Sequence, residues 1–536
     1  MTLEKNLLAL AERDPELVVR LSWPAGSDHV VEGAEGPEYV LGMQRFPLRV
    51  GPEAAAGLAR QAGDEAFLFG LGLGELAAAL LAGGRLVVAW ERDPWLMRLA
   101  LSRHDLSGAL RAGTLRLLLG SDLVEERRRG LRGGLVLHPL LGQVYGVERR
   151  LLEGRHDRPV AALASGGLFV QDLAAGLERA GLAPFTLDLG RLSREELSRS
   201  LGRLRPALLA AVNYVDGLAE FCAAHGVTLV CWEIDPATSD LQPCGEPGRS
   251  FIFTYRRGAV AEYRAAGFPH VEHLPLAADP ARRRPVDVSG PESARHRAAV
   301  SVVGSSMVPD VARHERAFLE AWEAAHGPGA RGTGLAALSW VLEAQSRDLS
   351  AHRVPALLAG RWPALAAAHP EAVRAASEIA AALKRLAAVR RLARFAPRVW
   401  GDEGWREAEG GGVAYMGPAG HGDELDRIYC GSAVNVDLGR LYQMDIVTMR
   451  VFDVLACGGF VLAERSDDLA ALFEVGVEVD CYGSLEELER KVAHYLAHPD
   501  RAAALAARGR EAVLGRHTVQ SRVDHMLAVA GCAPPG

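Results

Sequence analysis

The chain lacks the patterns that mark disulfide-rich, zinc-binding and membrane-spanning proteins. Its 536 residues include seven cysteines, and no two of them form a C-x-x-C pair. We therefore expect no disulfide framework and no zinc site, and we infer a reducing compartment. No apolar run is long enough to span a bilayer, and the first residues lack the basic start and apolar core of a signal peptide. These absences predict a cytoplasmic protein.

An excess of positive charge is also missing. The chain has 60 Lys and Arg residues against 67 Asp and Glu residues, which gives a formal net charge of -7. This balance does not favour generic nucleic-acid binding. The hydrophobic fraction is 49%, that of an ordinary globular protein, and the length allows several domains.

A glycine-rich turn lies between two predicted strands in the first third of the chain. Residues 66–69 predict a strand, Gly70, Gly72 and Gly74 mark the turn, and Glu91 ends the following strand. An acidic residue about 20 positions after the glycines is typical of nucleotide-binding Rossmann folds. The pattern indicates a bound nucleotide or S-adenosylmethionine, with Glu91 on the ribose hydroxyls. The alternative is a tight turn in an α/β domain that binds nothing.

Strands alternate with helices through most of the chain, which predicts an α/β fold with doubly wound parallel sheets. We predict a Rossmann-like α/β domain in residues 1–150, a second in 158–285 and a third in 298–530. The third contains a helical insert at about 311–396. Ligands bind beyond the carboxyl ends of such strands, so Asp235, which follows a predicted strand, is a candidate for a catalytic cleft.

The stretch from residue 445 to 462 is the most informative part of the sequence. It predicts a helix that ends at Gly458 and Gly459, followed by a short buried strand. The start of a helix favours an anion, because free N–H groups and partial positive charge lie there. Polar side chains at or near this start are candidates for binding, and they are Asp445, Thr448, Arg450 and Asp453.

These side chains suit a phosphorylated ligand. Arg450 can clamp a phosphate through two parallel hydrogen bonds, and Asp453 can accept hydrogen bonds from sugar or ribose hydroxyls. Gly304 follows the first predicted strand of the last domain, where it lets a phosphate approach the backbone closely. The alternative is that Arg450 and Asp453 merely form a surface ion pair three residues apart.

The run Arg-x-Phe-Asp-x-Leu-Ala-Cys-Gly-Gly from residue 450 to 459 resembles the donor-site signature of family-1-type glycosyltransferases, in particular the CgeB-type (spore maturation) group. The resemblance implies a GT-B fold, in which two Rossmann-like domains face a cleft, here preceded by the additional α/β domain. It also implies transfer of a sugar from a nucleotide-sugar donor (UDP-, GDP- or another) to a protein or glycan acceptor. The donor-binding residues that it implies are Gly304, Thr448, Arg450, Asp453, Gly458 and Gly459.

Two further expectations come with this resemblance. Many retaining GT-B enzymes have two acidic residues separated by seven others, and Asp445 and Asp453 stand at that spacing, with Asp where Glu is usual. We take Asp445 and Asp235 as the candidate catalytic residues. GT-B enzymes generally need no metal, because helix N-termini and basic side chains neutralise the leaving diphosphate, and we expect none here.

Residues 6–17 and 70–94 resemble the opening of motility-associated-factor proteins, which glycosylate flagellin. This resemblance implies flagellin or cell-surface glycosylation. Two other readings stay open at this point. The protein could be bifunctional, with an S-adenosylmethionine-dependent methyltransferase-like first domain, or it could be a non-catalytic scaffold that recognises a glycan or a protein.

A basic amphipathic helix is predicted at residues 383–395, within the helical insert. Such a helix usually presents a solvated charged face above a core face. The sharper hypothesis is peripheral contact with an anionic surface of the inner membrane or with an acidic partner.

Overall fold

The computed structural model describes residues 2–42, 44–131, 133–154, 158–165, 169–235, 241–420, 422–443 and 445–533. The chain divides into two compact units. Unit 1 comprises Met1–Phe253, Ala261–Glu272 and Val523–Gly536, and unit 2 comprises Thr254–Val260 and His273–Arg522. The predicted domain limits, 1–150, 158–285 and 298–530, stay predictions.

Unit 1 begins with two helices and an antiparallel sheet. In the described part of this stretch the sheet has three strands in the order β1-β2-β3. The bounds are α1 (Thr2–Ala11), α2 (Pro15–Ser22), β1 (Val30–Gly33), β2 (Gly36–Leu41) and β3 (Gln44–Pro47). Asp14 starts α2, because its carboxylate accepts a hydrogen bond from the Leu17 N–H (2.9 Å) and so satisfies a free donor of the first turn.

The first parallel sheet follows, with the described strands in the order β6-β5-β4-β7. Its central strand is apolar because helices cover both faces, and Phe67, Leu68 and Phe69 are fully buried. The strands are β4 (Glu65–Phe69), β5 (Leu86–Glu91), β6 (Leu115–Leu119) and β7 (Gly134–Leu137). The helices are α3 (Pro52–Gln61), α4 (Glu75–Ala82), α5 (Pro94–Arg103), α6 (Ser107–Ala112), α7 (Asp122–Arg129), α8 (Leu141–Val144) and α9 (Gly146–Glu153).

The second sheet has the described strand order β13-β12-β11-β10-β8-β9. The pairs β8–β9, β8–β10 and β10–β11 are parallel. The strands are β8 (Val160–Ser165), β9 (Ala183–Asp188), β10 (Leu208–Val212), β11 (Leu229–Glu233), β12 (Ser250–Thr254) and β13 (His270–His273). The helices are α10 (Val170–Arg179), α11 (Arg194–Leu204), α12 (Leu218–Ala224) and α13 (Ala259–Ala265).

Unit 2 contains the third sheet, whose described strands are all parallel in the order β16-β15-β14-β17-β18-β19. The strands are β14 (Ala298–Val303), β15 (Arg398–Trp400), β16 (Ala414–Tyr415), β17 (Ser432–Val436), β18 (Val461–Glu464) and β19 (Asp480–Tyr482). The strand order reverses between β14 and β17. In a doubly wound sheet a crevice opens at such a switch point, beyond the carboxyl ends of the strands.

Helices surround this sheet and also form the predicted insert between β14 and β15. The insert packs around an apolar core that includes Phe318, Trp322 and Val341. Its helices are α14 (Val311–His326), α15 (Arg331–Ser346), α16 (Val354–Arg361), α17 (Pro363–Ala368) and α18 (Pro370–Arg391). The later helices are α19 (Asp423–Gly431), α20 (Met449–Ala456), α21 (Asp467–Leu472), α22 (Leu485–Ala497), α23 (Pro499–Arg516) and α24 (Val519–Ala530). Short 3-10 turns occur at Pro291–Ser293, Val308–Asp310, Ala393–Phe395 and Glu403–Ala408.

The predicted fold class is confirmed. The protein is α/β, with three doubly wound Rossmann-like sheets and a helical insert between β14 and β15 of the last sheet. The GT-B arrangement of the last two sheets stays a prediction. The first and third sheets share one feature that matters for function. In both, a glycine turn follows the strand on one side of the switch point.

Candidate functional site

The glycine turn of the third sheet lies at its switch point, directly after β14. The Gly304 N–H donates to the Trp400 carbonyl (2.9 Å), and the Trp405 indole N–H donates to the Gly304 carbonyl (2.7 Å). Gly304 has φ +139°, and a Cβ there would lie 2.5 Å from Nη2 of Arg450. The position therefore requires glycine, and it brings the turn directly against the Arg450 guanidinium.

The helix α20 brings Arg450 and Thr448 to the same place. Thr448 is the N-cap residue, but its hydroxyl donates to Oδ1 of Asp437 (2.8 Å) and caps no N–H of the helix. Arg450 forms an ion pair with the same carboxylate oxygen. Asp437 follows β17, so the two sides of the switch point are Gly304 and Asp437. Sequence reasoning missed Asp437, which no local motif distinguishes from other acids.

A small recess with a cavity volume of about 20 Å³ lies beside these groups, between the carboxyl ends of β17 and β18. One part of its wall is apolar and is formed by Ile446, Val447, Val451, Ala463 and Leu469. The polar lining residues are Asp437, Gln443, Thr448, Glu464, Arg465 and Ser466. A recess of this size has room for about one water molecule, so its lining would meet only the edge of a ligand.

Asp453 lies deeper in the protein than the sequence suggests. Its carboxylate accepts a hydrogen bond from Nε of Arg283 (3.1 Å), and Nη1 of Arg283 also donates to Asp426 (3.0 Å). Burial acts to lower the pKa of Arg283, but the two carboxylates outweigh it and raise that pKa. Asp453 is thus part of a buried charge network, and its predicted contact with a sugar or ribose stays a prediction.

The glycine pair at the end of α20 has a structural use. Gly458 adopts φ +76°, and its N–H donates to the Leu455 carbonyl (2.9 Å). A Cβ at Gly459 would lie 2.7 Å from the Tyr429 carbonyl oxygen. The pair therefore ends the helix and lets the chain pass close to α19 as it enters β18. Direct donor contact by Gly458 and Gly459 stays a prediction.

The two candidate catalytic acids are both exposed. Asp445 precedes α20, and its Oδ2 is 3.6 Å from the position that a Cβ at Gly258 would take. Asp235 follows β11 in unit 1, and its N–H donates to Oδ1 of Asn213 (3.1 Å). Among the described residues, neither carboxylate makes a hydrogen bond or an ion pair that would indicate its function. A catalytic function for either stays a prediction.

Two basic residues of α18 that sequence reasoning assigned to a solvated face are buried in unit 2. Lys384 forms an ion pair with Glu464, and Nη1 of Arg385 donates to the Ser305 carbonyl (2.8 Å). The sequence could have indicated this burial, because both residues stand at core positions of the helix. Residues 381, 384, 385, 388 and 389 of α18 are all buried. Basic residues at core positions of an amphipathic helix indicate a buried polar contact.

The rest of the predicted basic helix is less regular than the sequence suggests. The helix α18 ends at Arg391, and a 3-10 turn follows. Arg391 and Arg394 lie at the surface, where both pair with Glu489. Contact of this segment with a membrane or an acidic partner stays a prediction. No described helix is long and apolar enough to cross a bilayer.

The glycine turn of the first sheet is occupied by the protein's own side chains. Glu91 accepts hydrogen bonds from the N–H groups of Leu71 (2.9 Å), Gly72 (3.2 Å) and Arg92 (2.8 Å), and from the Tyr145 hydroxyl. Its carboxyl is fully buried, and this burial raises its pKa to about 7. The amides of Leu71 and Gly72, which a ligand in this turn would use, are therefore already bonded.

His138, which follows β7, covers the other side of this turn. A Cβ at Gly72 would overlap the His138 ring, and the ring accepts hydrogen bonds from the N–H groups of Leu140 and Leu141 (both 3.2 Å). Burial lowers the pKa of His138 to about 4, so the imidazole is neutral at physiological pH. Binding of a nucleotide or S-adenosylmethionine by Gly70, Gly72, Gly74 and Glu91 stays a prediction.

Residues of the second sheet cover the carboxyl edge of the first sheet within unit 1. Arg92 donates to the Thr186 hydroxyl (3.2 Å), and Thr186 lies in β9. Arg20 donates to both carboxylate oxygens of Glu196 in α11 (2.9 and 2.8 Å). In an isolated Rossmann domain the crevice at this edge would be open to a ligand. Here other residues of unit 1 are in contact with the same edge.

Cysteine and metal-ligating residues add no further site in the described residues. All seven cysteines are free thiols. No group of three or more His, Cys, Asp or Glu side chains in the described ranges is arranged to hold a metal ion. The expected independence from metal stays a prediction.

The last part of unit 2 matches a known protein family. Residues 378–528, which include the greater part of α18 together with β17, α20 and β18, match the family described as "Glycosyl transferase-like". The match covers well under half of the chain. It contains Arg385, Asp437, Thr448 and Arg450, and so most of the site described above. No curated protein matches the chain.

Several solved structures are similar to the chain at low identity. They include Anabaena Alr3699/HepE in complex with UDP and glucose (11% identity, TM-score 0.41, 69% of this chain and 98% of that chain covered). Sucrose-phosphate synthase from Thermosynechococcus elongatus (12%, 0.41, 69% and 98%) and T4 phage β-glucosyltransferase (10%, 0.37, 70% and 100%) are also similar. At such low TM-scores these likenesses support no statement about this chain.

Proposed function

We propose that the protein is a glycosyltransferase that transfers a sugar from a nucleotide-sugar donor to a protein or glycan acceptor. One observation carries the proposal. Gly304, Thr448 and Arg450 meet at the switch point of the third sheet, beside a small recess, and most of this site lies in the glycosyl transferase-like stretch. Phosphorylated ligands favour this combination of a glycine turn, a helix N-terminus and a guanidinium.

The site's residues would act mainly on the leaving group. Transfer breaks the bond between the sugar and the diphosphate, and negative charge grows on the diphosphate oxygens as it breaks. Arg450 can donate two parallel hydrogen bonds to these oxygens, and the free N–H groups in the first turn of α20 add partial positive charge. Groups already oriented in this way stabilise the developing charge without rearranging. For the same reason we propose that the reaction needs no divalent metal.

The residues that line the recess beside Arg450 would contact the donor's hydroxyl-bearing part. The carboxylates of Asp437 and Glu464 and the Ser466 hydroxyl line this recess and can accept or donate hydrogen bonds to a sugar or ribose. Asp437 already bonds Arg450 and Thr448. It therefore orients both phosphate-binding residues, whether or not it touches the donor.

The direct test is binding and hydrolysis of donors by the purified full-length protein. We expect at least one nucleoside diphosphate, and its sugar conjugate, to bind in calorimetry across a UDP-, GDP- and dTDP-sugar panel. Thr448→Val should weaken that binding, whereas Thr333→Val, a matched change on α15, should leave it unchanged. Failure of every nucleotide in the panel to bind would contradict the proposal, and binding without sugar transfer or hydrolysis would indicate a recognition scaffold. Chelator should leave turnover intact.

For the acceptor we propose a protein or glycan, with flagellin and cell-surface polymers as the first candidates and the cytoplasm as the site of reaction. The support is the resemblance of residues 6–17 and 70–94 to flagellin-glycosylating proteins. The test is transfer of labelled sugar from the identified donor to purified flagellin. Absence of label on flagellin, with label on another polymer of the same cell extract, would redirect the acceptor proposal without touching the donor site.

A further inference from the structure

Arg385 is a buried cation without a carboxylate partner among the described residues. Its residue is 7% exposed, and its Nε has no hydrogen-bond partner. The two terminal nitrogens donate to backbone carbonyls, Nη1 to Ser305 (2.8 Å) and Nη2 to Leu438. A buried charge that only neutral acceptors satisfy is costly. We therefore expect the buried charge of Arg385 to have a function that offsets this free-energy cost.

The neighbouring charges do not supply the missing anion. Arg450 is paired with Asp437, and Lys384 with Glu464. Burial lowers the pKa of Arg385 to about 10, and the positive charge of Arg450 adds to this effect. Each of the other two cations thus has a carboxylate partner, whereas Arg385 has none within ion-pair distance among the described residues and is the surplus charge of this cluster. The Asp402 carboxylate also lies at this turn, but its hydrogen bonds are to Ser305, Ser306 and Gly404.

The surplus charge lies beside the glycine turn. A Cβ at Gly304 would be 3.8 Å from Nη1 of Arg385 and 2.5 Å from Nη2 of Arg450. The guanidiniums of Arg385 and Arg450 therefore both lie next to Gly304, where the absence of a side chain leaves space in the turn. The bond to Ser305 ties Arg385 to that turn, and the bond to Leu438 ties it to the loop after β17.

We propose that Arg385 is the residue that sets the anionic charge of the ligand at this turn, and that it positions a diphosphate against Gly304 and Arg450. This inference rests on the proposed function and deepens it. No described carboxylate pairs with Arg385 in the free protein, and the negative charge of a diphosphate would supply that partner. Arginine suits this task because it stays charged when buried and can hold two loops while a third N–H remains free.

A purely structural function predicts a different outcome from substitution. If Arg385 only joined the Ser305 and Leu438 carbonyls, its removal would destabilise the protein and leave anion binding unchanged. If it is a buried surplus charge kept for a ligand, an apolar side chain of similar length should be tolerated or should raise stability. Arg385→Met separates the two, and Arg385→Gln keeps one donor for a carbonyl without the charge.

Inorganic pyrophosphate is the probe, because it carries the charge without a base or a sugar. We expect calorimetry to show binding to the full-length protein, at least tenfold weaker binding to Arg385→Met and Arg385→Gln, and an intermediate value for Arg385→Lys. Arg391→Met, on the exposed end of the same helix, should bind within twofold of wild type. Arg385→Met should melt at or above the wild-type temperature, and if it fails to fold, Arg385→Gln decides the binding result.

Wild-type affinity in the folded Met or Gln variant would overturn the inference, and so would a wild-type protein that does not bind pyrophosphate. The proposed function can fail separately. Arg385-dependent pyrophosphate binding without binding of any nucleotide-sugar would leave the anion site standing and refute the donor. Conversely, donor turnover with unchanged kcat/KM in Arg385→Gln would keep the glycosyltransferase and refute the inference.

Discussion

The first and third parallel sheets have equivalent strand orders around their switch points, β6-β5-β4-β7 and β16-β15-β14-β17. The side chains that lie against the glycine turn differ between them. In the first sheet Glu91 bonds the amides of the glycine turn, and the neutral His138 ring covers it. In the third sheet the turn faces Arg450 and the uncompensated charge of Arg385. The two turns thus differ in the charge of the side chains that lie nearest the glycine.

The difference lies in the side chains that face the glycine of each turn. A carboxylate at the end of β5 can reach back to the turn amides, and it then takes the place of a ligand's acceptor atoms. At the third sheet a carboxylate also bonds the turn, because Asp402 follows β15 and accepts hydrogen bonds from the Ser306 N–H (2.7 Å) and the Ser305 hydroxyl (2.6 Å). The groups nearest Gly304 itself, however, are the guanidiniums of Arg450 and Arg385, which cannot accept a hydrogen bond. We therefore expect substitutions at the first turn to cost stability and substitutions at the third to cost activity.

The largest effect is expected for Arg450→Ala. Loss of a preorganised donor to the leaving diphosphate should lower donor turnover by about 100-fold or more, measured as kcat/KM for hydrolysis or transfer. The change also leaves the buried Asp437 carboxylate without its cation, so part of the loss could come from instability. The double variant Arg450→Ala with Asp437→Asn removes that charge. Recovery of stability without recovery of turnover is the expected result, and recovered turnover would exclude Arg450 from the donor site.

The next largest effect is a pH dependence that belongs to the first turn. Burial raises the folded pKa of Glu91 to about 7 from its usual 4.5, so between these values the folded state binds a proton that the unfolded state has lost. The contribution of Glu91 to the free energy of unfolding is therefore largest below pH 4.5 and falls by about 3 kcal/mol as the pH rises through 7.

Urea unfolding of wild type and Glu91→Gln from pH 4.5 to 8 measures this contribution. The variant should be less stable at low pH, because an amide cannot accept all the hydrogen bonds that Glu91 accepts, and its stability should lack the Glu91-dependent fall. Parallel pH profiles for the two proteins would show that Glu91 titrates normally in the folded state. Donor affinity should be the same in both.

Much of this fold could be predicted from the sequence, but the side chains that surround the two glycine turns could not. Buried strands and glycine turns leave local patterns, as at residues 66–74, because strand burial and positive φ restrict residue choice position by position. Glu91 has the spacing of a ribose ligand, and the same spacing lets its carboxylate bond the turn. Sequence distance does not distinguish a site that is open from one that is filled.

The donor site shows the same limit. Thr448, Arg450 and Gly304 were predicted because they stand next to a helix start or a strand end. Arg385 and Asp437 were missed, because their contacts join residues 80 and 13 positions apart, Arg385 to Ser305 and Arg450 to Asp437. Only the packing of α18 and α20 on the sheet brings these charges together.

A moderate effect is expected for alanine at the two turns. Gly72 adopts φ +59°, and an added Cβ would overlap the buried His138 ring, so Gly72→Ala should lower the free energy of unfolding by about 2 kcal/mol. In Gly304→Ala the added Cβ would lie against Nη2 at the end of the Arg450 side chain, which can shift. It should therefore lower donor turnover more than its stability loss explains. His138→Ala should partly rescue Gly72→Ala, and no rescue would show that backbone strain alone sets the cost.

The smallest effect is expected for Asp445, the exposed acid that precedes α20. Its carboxylate lies in solvent before α20, so Asp445→Asn should change the free energy of unfolding by no more than about 0.5 kcal/mol. Asp453→Asn provides the contrast, because it weakens the buried bond to Arg283 and should cost about 2 kcal/mol. Donor turnover then decides the function of Asp445. A large loss in the folded Asp445→Asn protein would assign it to catalysis, and unchanged turnover would remove it from the candidate site while leaving the anion-binding residues in place.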